Sequence, residues 1–124
     1  MVDLNFEKPG DHHYIRSVNE KGIHIAEQWY SGSVLVSADR LQPDWPPSTM
    51  NELQESHLLS IFEMKPEVVL LGTGAKQVFL PPQLMMQFYN NGIGIEVMTT
   101  DAACRTFNVL VSEGRNVLAA LMPT

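Results

Sequence analysis

The segment Val68-Val69-Leu70-Leu71-Gly72 decides the fold class, because it is a short, unbroken apolar run that ends at a glycine. Such a run is typical of a strand that is buried on both faces of a sheet. Two further strands are predicted at residues 94–98 and 117–121, and helices are predicted before and after the first of them. Strands that alternate with helices pair largely in parallel through right-handed crossovers. We therefore predict an α/β fold with these three strands adjacent in one sheet.

The helix predicted from Thr99 or Thr100 to about Ser112 shows the clearest periodicity in the sequence. Its apolar residues recur at i, i+4, i+7 and i+8, so they share one face of the helix. These residues are Ala103, Phe107, Leu110 and Val111. A second helix is predicted to begin at the proline pair 81–82 and to end at Asn91-Gly92.

The N-terminal half predicts a β-hairpin and one further helix. Residues 23–30 and 33–37 are rich in strand-forming residues and flank a turn that contains glycine, which predicts a hairpin that extends or covers the sheet. Residues 42–48 contain three prolines and are predicted to form a stiff connection outside the strands. A capping box at residues 49–52 predicts a helix that continues to about residue 64.

Length and composition limit the architecture and the class of partner. A chain of 124 residues that is 44% apolar suits a single domain over residues 1–124, with residues 1–13 loosely ordered. The net charge of −6, without a basic cluster, argues against nucleic acid and anionic lipid as partners. No apolar run approaches the roughly 20 residues that span a bilayer, and the N-terminus lacks the regions of a targeting peptide. We therefore expect a protein without membrane insertion that is cytoplasmic, or on the matrix side if a presequence has been removed.

Gly72-Thr73-Gly74 follows the first central strand, at the edge where ligands of α/β proteins usually bind. The next residues do not open a helix, and no third glycine or Gly-Lys-Ser/Thr sequence is in register, which excludes a dinucleotide fingerprint and a P-loop. The segment is either a structural turn or part of a binding surface. Thr99 and Thr100 either cap the following helix or hold an anion at its free N–H groups.

Three further residues complete a candidate binding surface. Arg105 and Asn108 lie on the predicted polar, solvated face of the helix that follows the strand ends. Trp45 lies in the proline-rich connection, where it either contacts a partner, as large aromatic residues often do, or covers the edge of the core. The whole candidate, called the strand-end surface below, comprises Gly72, Thr73, Gly74, Thr99, Thr100, Arg105, Asn108 and Trp45.

Cys104 is the only cysteine, which excludes an intramolecular disulfide and a multi-cysteine zinc site and favours a reducing compartment. It lies between the faces of the last helix without a neighbour that would stabilise a thiolate, so we interpret it as a structural thiol. The four histidines lack the spacing of metal ligands. The sequence thus predicts no metal, no cofactor and no catalytic residue.

The C-terminal half carries a series of strings that together resemble one protein family. The strings are VVLLGTG at 68–74, NGIGIEV at 91–97, AACRTFNVL at 102–110, EGR at 113–115 and AALMP at 119–123. They resemble the family that contains mitochondrial complex I assembly factor 3 and the adipogenesis-associated Mth-type domain protein, and the sequence looks like a bacterial member. The resemblance is strong over residues 65–123 and looser over 14–64.

This resemblance implies a three-layer fold around a central mixed sheet, and it implies no established enzyme activity. For the mitochondrial relatives it implies a role in complex I assembly through protein partners. We therefore expect a non-catalytic binding or assembly protein whose partner is another protein. The alternative is a small-molecule-binding domain or an enzyme that uses the crevice at the carboxyl ends of the central strands. The sequence leaves the oligomeric state open.

Overall fold

A computed structural model describes residues 12–124, so the expectation of loose order for residues 1–13 lies almost entirely outside the described residues. The strands are β1 (Ile15–Asn19), β2 (Gly22–Ile25), β3 (Gln28–Tyr30), β4 (Ser33–Val36), β5 (Leu41–Trp45), β6 (Val68–Gly72), β7 (Gly94–Met98) and β8 (Val117–Leu121). The helices are α1 (Leu58–Glu63), α2 (Pro82–Asn90) and α3 (Thr100–Ser112). Two 3₁₀ turns, Met50–Glu52 and Glu55–His57, precede α1.

The strands form a five-stranded sheet and a smaller antiparallel one. The large sheet has the order β5-β4-β8-β6-β7, and the small sheet has the order β1-β2-β3. β6 pairs in parallel with both β7 and β8, while β4 runs antiparallel to β8 and to β5. The predicted adjacency of the three C-terminal strands is confirmed, and the large sheet is mixed, as the family resemblance implied.

Apolar residues on both faces of the large sheet create three layers. Neighbouring residues of a strand point to opposite faces. Leu71 of β6 therefore packs with Ile61 of α1 and Phe88 of α2 on one face, while Leu70 packs with Phe107 of α3 on the other. Buried isoleucines of the small sheet join the second group. The continuous apolar run in β6 is thus explained by burial on both sides.

The ends of α2 and α3 follow from their own sequence. Pro82 opens α2, and Thr99 caps α3 by accepting a hydrogen bond from the N–H of Ala102. Gly92 and Gly114 adopt positive φ angles of 69° and 80° just beyond the helices, a conformation that favours glycine and stops a helix. Both helices therefore lie where the sequence predicted them.

The predicted N-terminal hairpin is present, but the strands and the turn assigned to it over residues 23–37 are wrong. β2 pairs instead with β3, so the chain reverses at Ala26 and Glu27, and the segment Ser31-Gly32 carries the chain from the small sheet to the large one. Ala26 adopts a φ of 56° in this turn. The usual sequence signal of a two-residue hairpin turn is glycine or asparagine, and this turn contains neither.

The proline-rich connection is partly a strand, which corrects the prediction that its prolines keep it out of the sheet. Pro43 lies in β5 opposite Val34, at an edge of the large sheet. An edge strand accommodates proline because the backbone N–H groups on its outer side have no ladder partner to lose.

The predicted helix over residues 49–64 is also wrong over most of its length, because only its last part forms α1. The Thr49 side chain makes no capping hydrogen bond. The Glu52 carboxylate instead accepts from the N–H of Ser48 at 2.8 Å. A reciprocal capping pair forms later, between Gln54 and His57. Within residues 12–124, no helix has the length and apolar character needed to cross a membrane.

Candidate functional site

The carboxyl ends of the central strands gather one part of the strand-end surface, as the parallel pairing predicted. The N–H of Thr73 donates to the carbonyl of Met98 at 2.9 Å, and the N–H of Thr100 donates to the carbonyl of Gly74 at 2.9 Å. Gly72, Thr73, Gly74, Thr99 and Thr100 therefore lie together where β6 and β7 end.

The side chain of Thr100 joins three segments of the chain at this edge by hydrogen bonds. Its hydroxyl is fully buried, accepts from the N–H of Gly74 at 2.8 Å and donates to the carbonyl of Met122 at 2.6 Å. Gly72 is packed against it so closely that an added Cβ would lie 2.9 Å from the Cα of Thr100. The start of α3 therefore touches the end of β6 directly, and no crevice separates them.

The other two threonines of this edge also bond to backbone groups. The Thr73 hydroxyl donates to the carbonyl of Lys76 at 2.6 Å and accepts from the N–H of Val78 at 3.1 Å. The Thr99 hydroxyl accepts from the N–H of Ala102 at 3.2 Å. These are the bonds of a structural turn and a helix cap, so the geometry favours the structural alternatives at both positions.

A shallow hollow of about 290 Å³ lies beside this edge. It is lined by Thr49, Met50, Asn51, Thr73, Lys76 and Val78. Lys76 is an exposed cation in this lining. The hollow is therefore a surface depression whose lining includes one cation.

Arg105 is exposed and pairs with Asp101 one turn earlier on α3, because side chains at i and i+4 of a helix are neighbours. Asn108 does not belong to a solvated face, which corrects its predicted role. Its side-chain amide accepts from the N–H of Ile15 at 2.9 Å and donates to the carbonyl of Ile15 at 2.8 Å. Asn108 therefore joins α3 to β1, and Arg105 is the exposed charged member of the strand-end surface.

Trp45 is buried, with only 2% of its surface exposed, so the hypothesis that it contacts a partner is wrong. Its ring lies in the core beneath α1 and α2, and its indole N–H donates to the carbonyl of His57 at 3.2 Å. Its position fits the alternative interpretation, in which Trp45 covers the edge of the core. The β5 strand turns the ring inward, which the prolines around it did not indicate.

Cys104 is buried among the apolar residues of α3, the large sheet and the small sheet. Burial, and to a lesser degree the negative charge of Asp101, raise the pKa of its thiol to about 12, and Arg105 offsets part of this rise. The thiol is therefore protonated at neutral pH and is a weak nucleophile. This agrees with a structural role.

We expect iodoacetamide to alkylate Cys104 at least about 1000-fold more slowly in the folded chain than in the unfolded chain at pH 7. The reason is that the pKa rises from 9.0 to about 12, which lowers the thiolate fraction by about three powers of ten. Mass spectrometry of samples quenched over time, with and without guanidinium chloride, measures both rates. Equal rates in the two samples would show that the thiol is as accessible and as readily ionised in the folded chain as in the unfolded chain.

Within residues 12–124, no group of three or more His, Cys, Asp or Glu side chains is arranged to hold a metal ion.

The described residues present exposed apolar side chains that the sequence did not predict. Several large apolar side chains of the α1–α2 layer are exposed, and we call them the exposed apolar set. They are Leu59 on α1, Val78 and Phe79 in the loop before α2, and Met86 and Tyr89 on α2.

Phe79 is the extreme member of the exposed apolar set, with 86% of its surface exposed. A sequence signal for this set did exist. Met86 and Tyr89 are three residues apart on α2 and lie outside its buried side, so this helix is apolar on more than the face that meets the core.

Comparison with known proteins gives matches over most of the chain. A family model described as "Protein of unknown function (DUF498/DUF598)" matches residues 15–122. A protein of Francisella tularensis subsp. holarctica named 13 kDa major membrane protein is 40% identical over 68 residues, which cover 55% of this chain and 55% of that protein. A mouse protein named NADH dehydrogenase (ubiquinone) 1 alpha subcomplex assembly factor 3 is 34% identical over 113 residues, which cover 89% of this chain and 60% of that protein.

The chain thus spans less than two thirds of the length of these two relatives. Among solved structures, a Bordetella pertussis protein described as a Mth938-like domain superposes with a TM-score of 0.79 at 25% identity. The match covers 90% of this chain and 85% of that one. The resemblance inferred from the sequence strings is confirmed by these matches, and so is the mixed α/β fold that it implied.

Proposed function

We propose, from the premise that this chain belongs to the DUF498/DUF598 family, that it is a non-catalytic protein-binding domain that serves an assembly process. The assembly role is supported by the mouse relative, which is named as an assembly factor and which 89% of this chain matches. The partner is another protein, which is bound through the exposed apolar set.

One observation carries this proposal, the exposure of Phe79. An aromatic side chain that is 86% exposed gains about 1.5–3 kcal/mol when a partner buries it. Single exposed apolar residues are common on protein surfaces, but aromatic residues are enriched at the centres of interfaces. Val78 beside Phe79 is also exposed, and the next residue, Leu80, is buried and fixes the loop to the core.

Hydrogen bonds hold the residues that come just before Phe79 in this loop. The Thr73 hydroxyl bonds to Lys76 and Val78, and the Gln77 side chain donates to the carbonyl of Val97 on β7 at 3.2 Å. A loop that is fixed before binding loses less conformational entropy when a partner docks. The threonine predicted as a ligand-binding residue therefore supports binding indirectly, because it fixes the loop.

The chemistry of the described residues supports a non-catalytic role. The buried thiol of Cys104 is protonated at neutral pH, and the strand-end threonines already bond to backbone groups. A general base or an activated nucleophile needs a perturbed titratable group that can reach a substrate. The buried thiol of Cys104, which is protonated at neutral pH, does not meet that requirement.

We expect Phe79→Ala to weaken capture of the native partner by about 10- to 100-fold without loss of fold, because the lost apolar contact is worth about 1.5–3 kcal/mol. The measurement is quantitative capture from a lysate of the native cell, with a circular dichroism melt of each variant. Val109→Ala on α3 is the matched control, since Val109 is also exposed and lies outside the exposed apolar set. Undiminished capture by Phe79→Ala, or equal loss in both variants, would contradict the proposal.

The hollow beside Lys76 favours the second candidate function, binding of a small anionic ligand. The same variants discriminate between the two. A thermal-shift screen with metabolites should give no saturable stabilisation if the chain binds only a protein. A saturable shift that Lys76→Ala abolishes, together with full capture by Phe79→Ala, would replace the proposed function. Arg105→Glu tests the remaining exposed residue of the strand-end surface in both assays.

A further inference from the structure

A groove of about 400 Å³ runs between α1 and α2, at the other end of α2 from Phe79. It is lined by Glu55, Leu59, Phe62, Glu63, Gln87 and Asn91. The lining combines an apolar floor with carboxylates and carboxamides at the rim. Lysine and arginine are absent from this lining.

The floor of the groove is formed by Leu59 and Phe62. Leu59 projects outward from α1 with 61% of its surface exposed, while Phe62 packs edge-on against the buried ring of Phe88 with ring centroids 5.3 Å apart. The T-shaped contact fixes the Phe62 ring, so this part of the groove is preformed. Leu59 is therefore an exposed apolar side chain beside a fixed apolar surface.

Two carboxylates lie on either side of Leu59 along the chain, Glu55 four residues before it and Glu63 four residues after it. Both are exposed. The ion pairs within the described residues are Arg105–Asp101 and Arg115–Glu67, so neither groove carboxylate has a cationic partner there. Glu55 is in a first turn, where the helix dipole favours an acid, but Glu63 ends α1, where an acid is disfavoured.

We propose that this groove receives an amphipathic, basic helical segment of the partner protein, which deepens the proposed function by naming the partner's chemistry. One or two leucine-like side chains of that segment cover Leu59 and Phe62. Its arginine or lysine side chains, about two turns apart, pair with Glu55 and Glu63. A helix laid in a groove through anchors at i and i+3 or i+4 is a common mode of recognition, and the charges fix its register.

The amides of the rim suit the same occupant. Gln87 and Asn91 lie one turn apart at the end of α2, and the Asn91 side chain already donates to the carbonyl of Gln87 at 2.8 Å. The remaining carboxamide oxygens accept hydrogen bonds from lysine or arginine. Carboxylates and carboxamide oxygens thus surround the apolar floor, whereas an acidic segment would meet two like charges at the rim.

The test uses the full chain and two synthetic helical peptides that share the same leucine positions. One peptide carries arginine two turns apart and the other carries glutamate at those positions, and fluorescence anisotropy measures binding of each. The arginine peptide should bind at least about 10-fold more tightly than the glutamate peptide. Glu63→Lys should weaken binding of the arginine peptide at least about 10-fold, and Leu59→Ser should weaken it similarly.

Two controls separate the groove from general effects of charge and exposure. Glu113→Lys makes the same change in net charge at an exposed site beyond α3, and Val109→Ser makes a similar polar change on α3. Neither should change the affinity for the peptide. Equal binding of both peptides, an equal loss with Glu113→Lys, or a concentration-dependent dimer that Leu59→Ser abolishes would overturn the inference, the last because a second copy then occupies the groove.

Failure of this inference and failure of the proposed function give different results. If partner capture falls with Phe79→Ala but not with Glu63→Lys, the protein-binding function stands and the basic-segment inference is wrong. If neither variant reduces capture, the proposed function fails as well. Phe79→Ala should leave peptide affinity unchanged, because Phe79 does not line the groove.

Discussion

Replacing Thr100 with valine is expected to lower the free energy of unfolding by about 2–4 kcal/mol, although valine has nearly the same shape. The Thr100 hydroxyl bonds to the N–H of Gly74 at 2.8 Å and to the carbonyl of Met122 at 2.6 Å. Valine removes both bonds and leaves a buried donor and a buried acceptor without a partner. Each unsatisfied group costs about 1–3 kcal/mol. Urea unfolding followed by circular dichroism measures the loss.

The matched control is Thr106→Val, which makes the same change on the same helix. The Thr106 hydroxyl donates to the carbonyl of Ala102 one turn earlier at 2.9 Å, and that carbonyl still has its helical partner after the substitution. Thr106→Val should therefore change stability by less than about 0.5 kcal/mol, as surface substitutions usually do. If Thr100→Val lowers the free energy of unfolding no more than the control does, the hydrogen bonds of Thr100 do not stabilise the strand ends.

The parts of the fold that the sequence predicted correctly are those with local signals. β6, α2 and α3 each carry their own apolar period, caps or prolines, and these features act within one element. The hairpin was assigned to the wrong strands because Ala26 forms a turn without the usual residues. The helix at residues 49–64 failed because Thr49 does not make the capping bond that its spacing suggests.

In the candidate site, too, the features that depend on local sequence were predicted, and those that depend on distant residues were not. The gathering of Gly72, Thr73 and Thr100 at one edge follows from parallel pairing, which the sequence indicated. Whether their polar groups are free depends on groups that only the fold supplies, such as the carbonyl of Met122 for Thr100. Phe79 was missed because its exposure depends on the loop bonds of Thr73, and the inward position of Trp45 depends on its place in β5.

Asn108 offers the sharpest test of a contact between distant parts of the chain. Its amide bonds to both backbone groups of Ile15, which is 93 residues away in sequence and 2% exposed. The amide thereby takes the place of a neighbouring strand along β1. A carboxylate can replace only the acceptor half of this pair, because an ionised aspartate has no proton to donate.

We expect Asn108→Leu to lower the free energy of unfolding by about 2–3 kcal/mol, because the buried N–H and carbonyl of Ile15 lose their partner. Asn108→Asp should be at least as unstable at pH 7, since its carboxylate faces the carbonyl of Ile15. Hydrogen exchange should accelerate most over residues 15–30, the small sheet, and least in β6 and β8. Ser112→Ala, an exposed polar change on the same helix, is the control and should leave exchange unchanged. Uniform acceleration across both sheets would instead show that Asn108 supports the whole core, and an unchanged small sheet would show that β1 is held by its pairing with β2 alone.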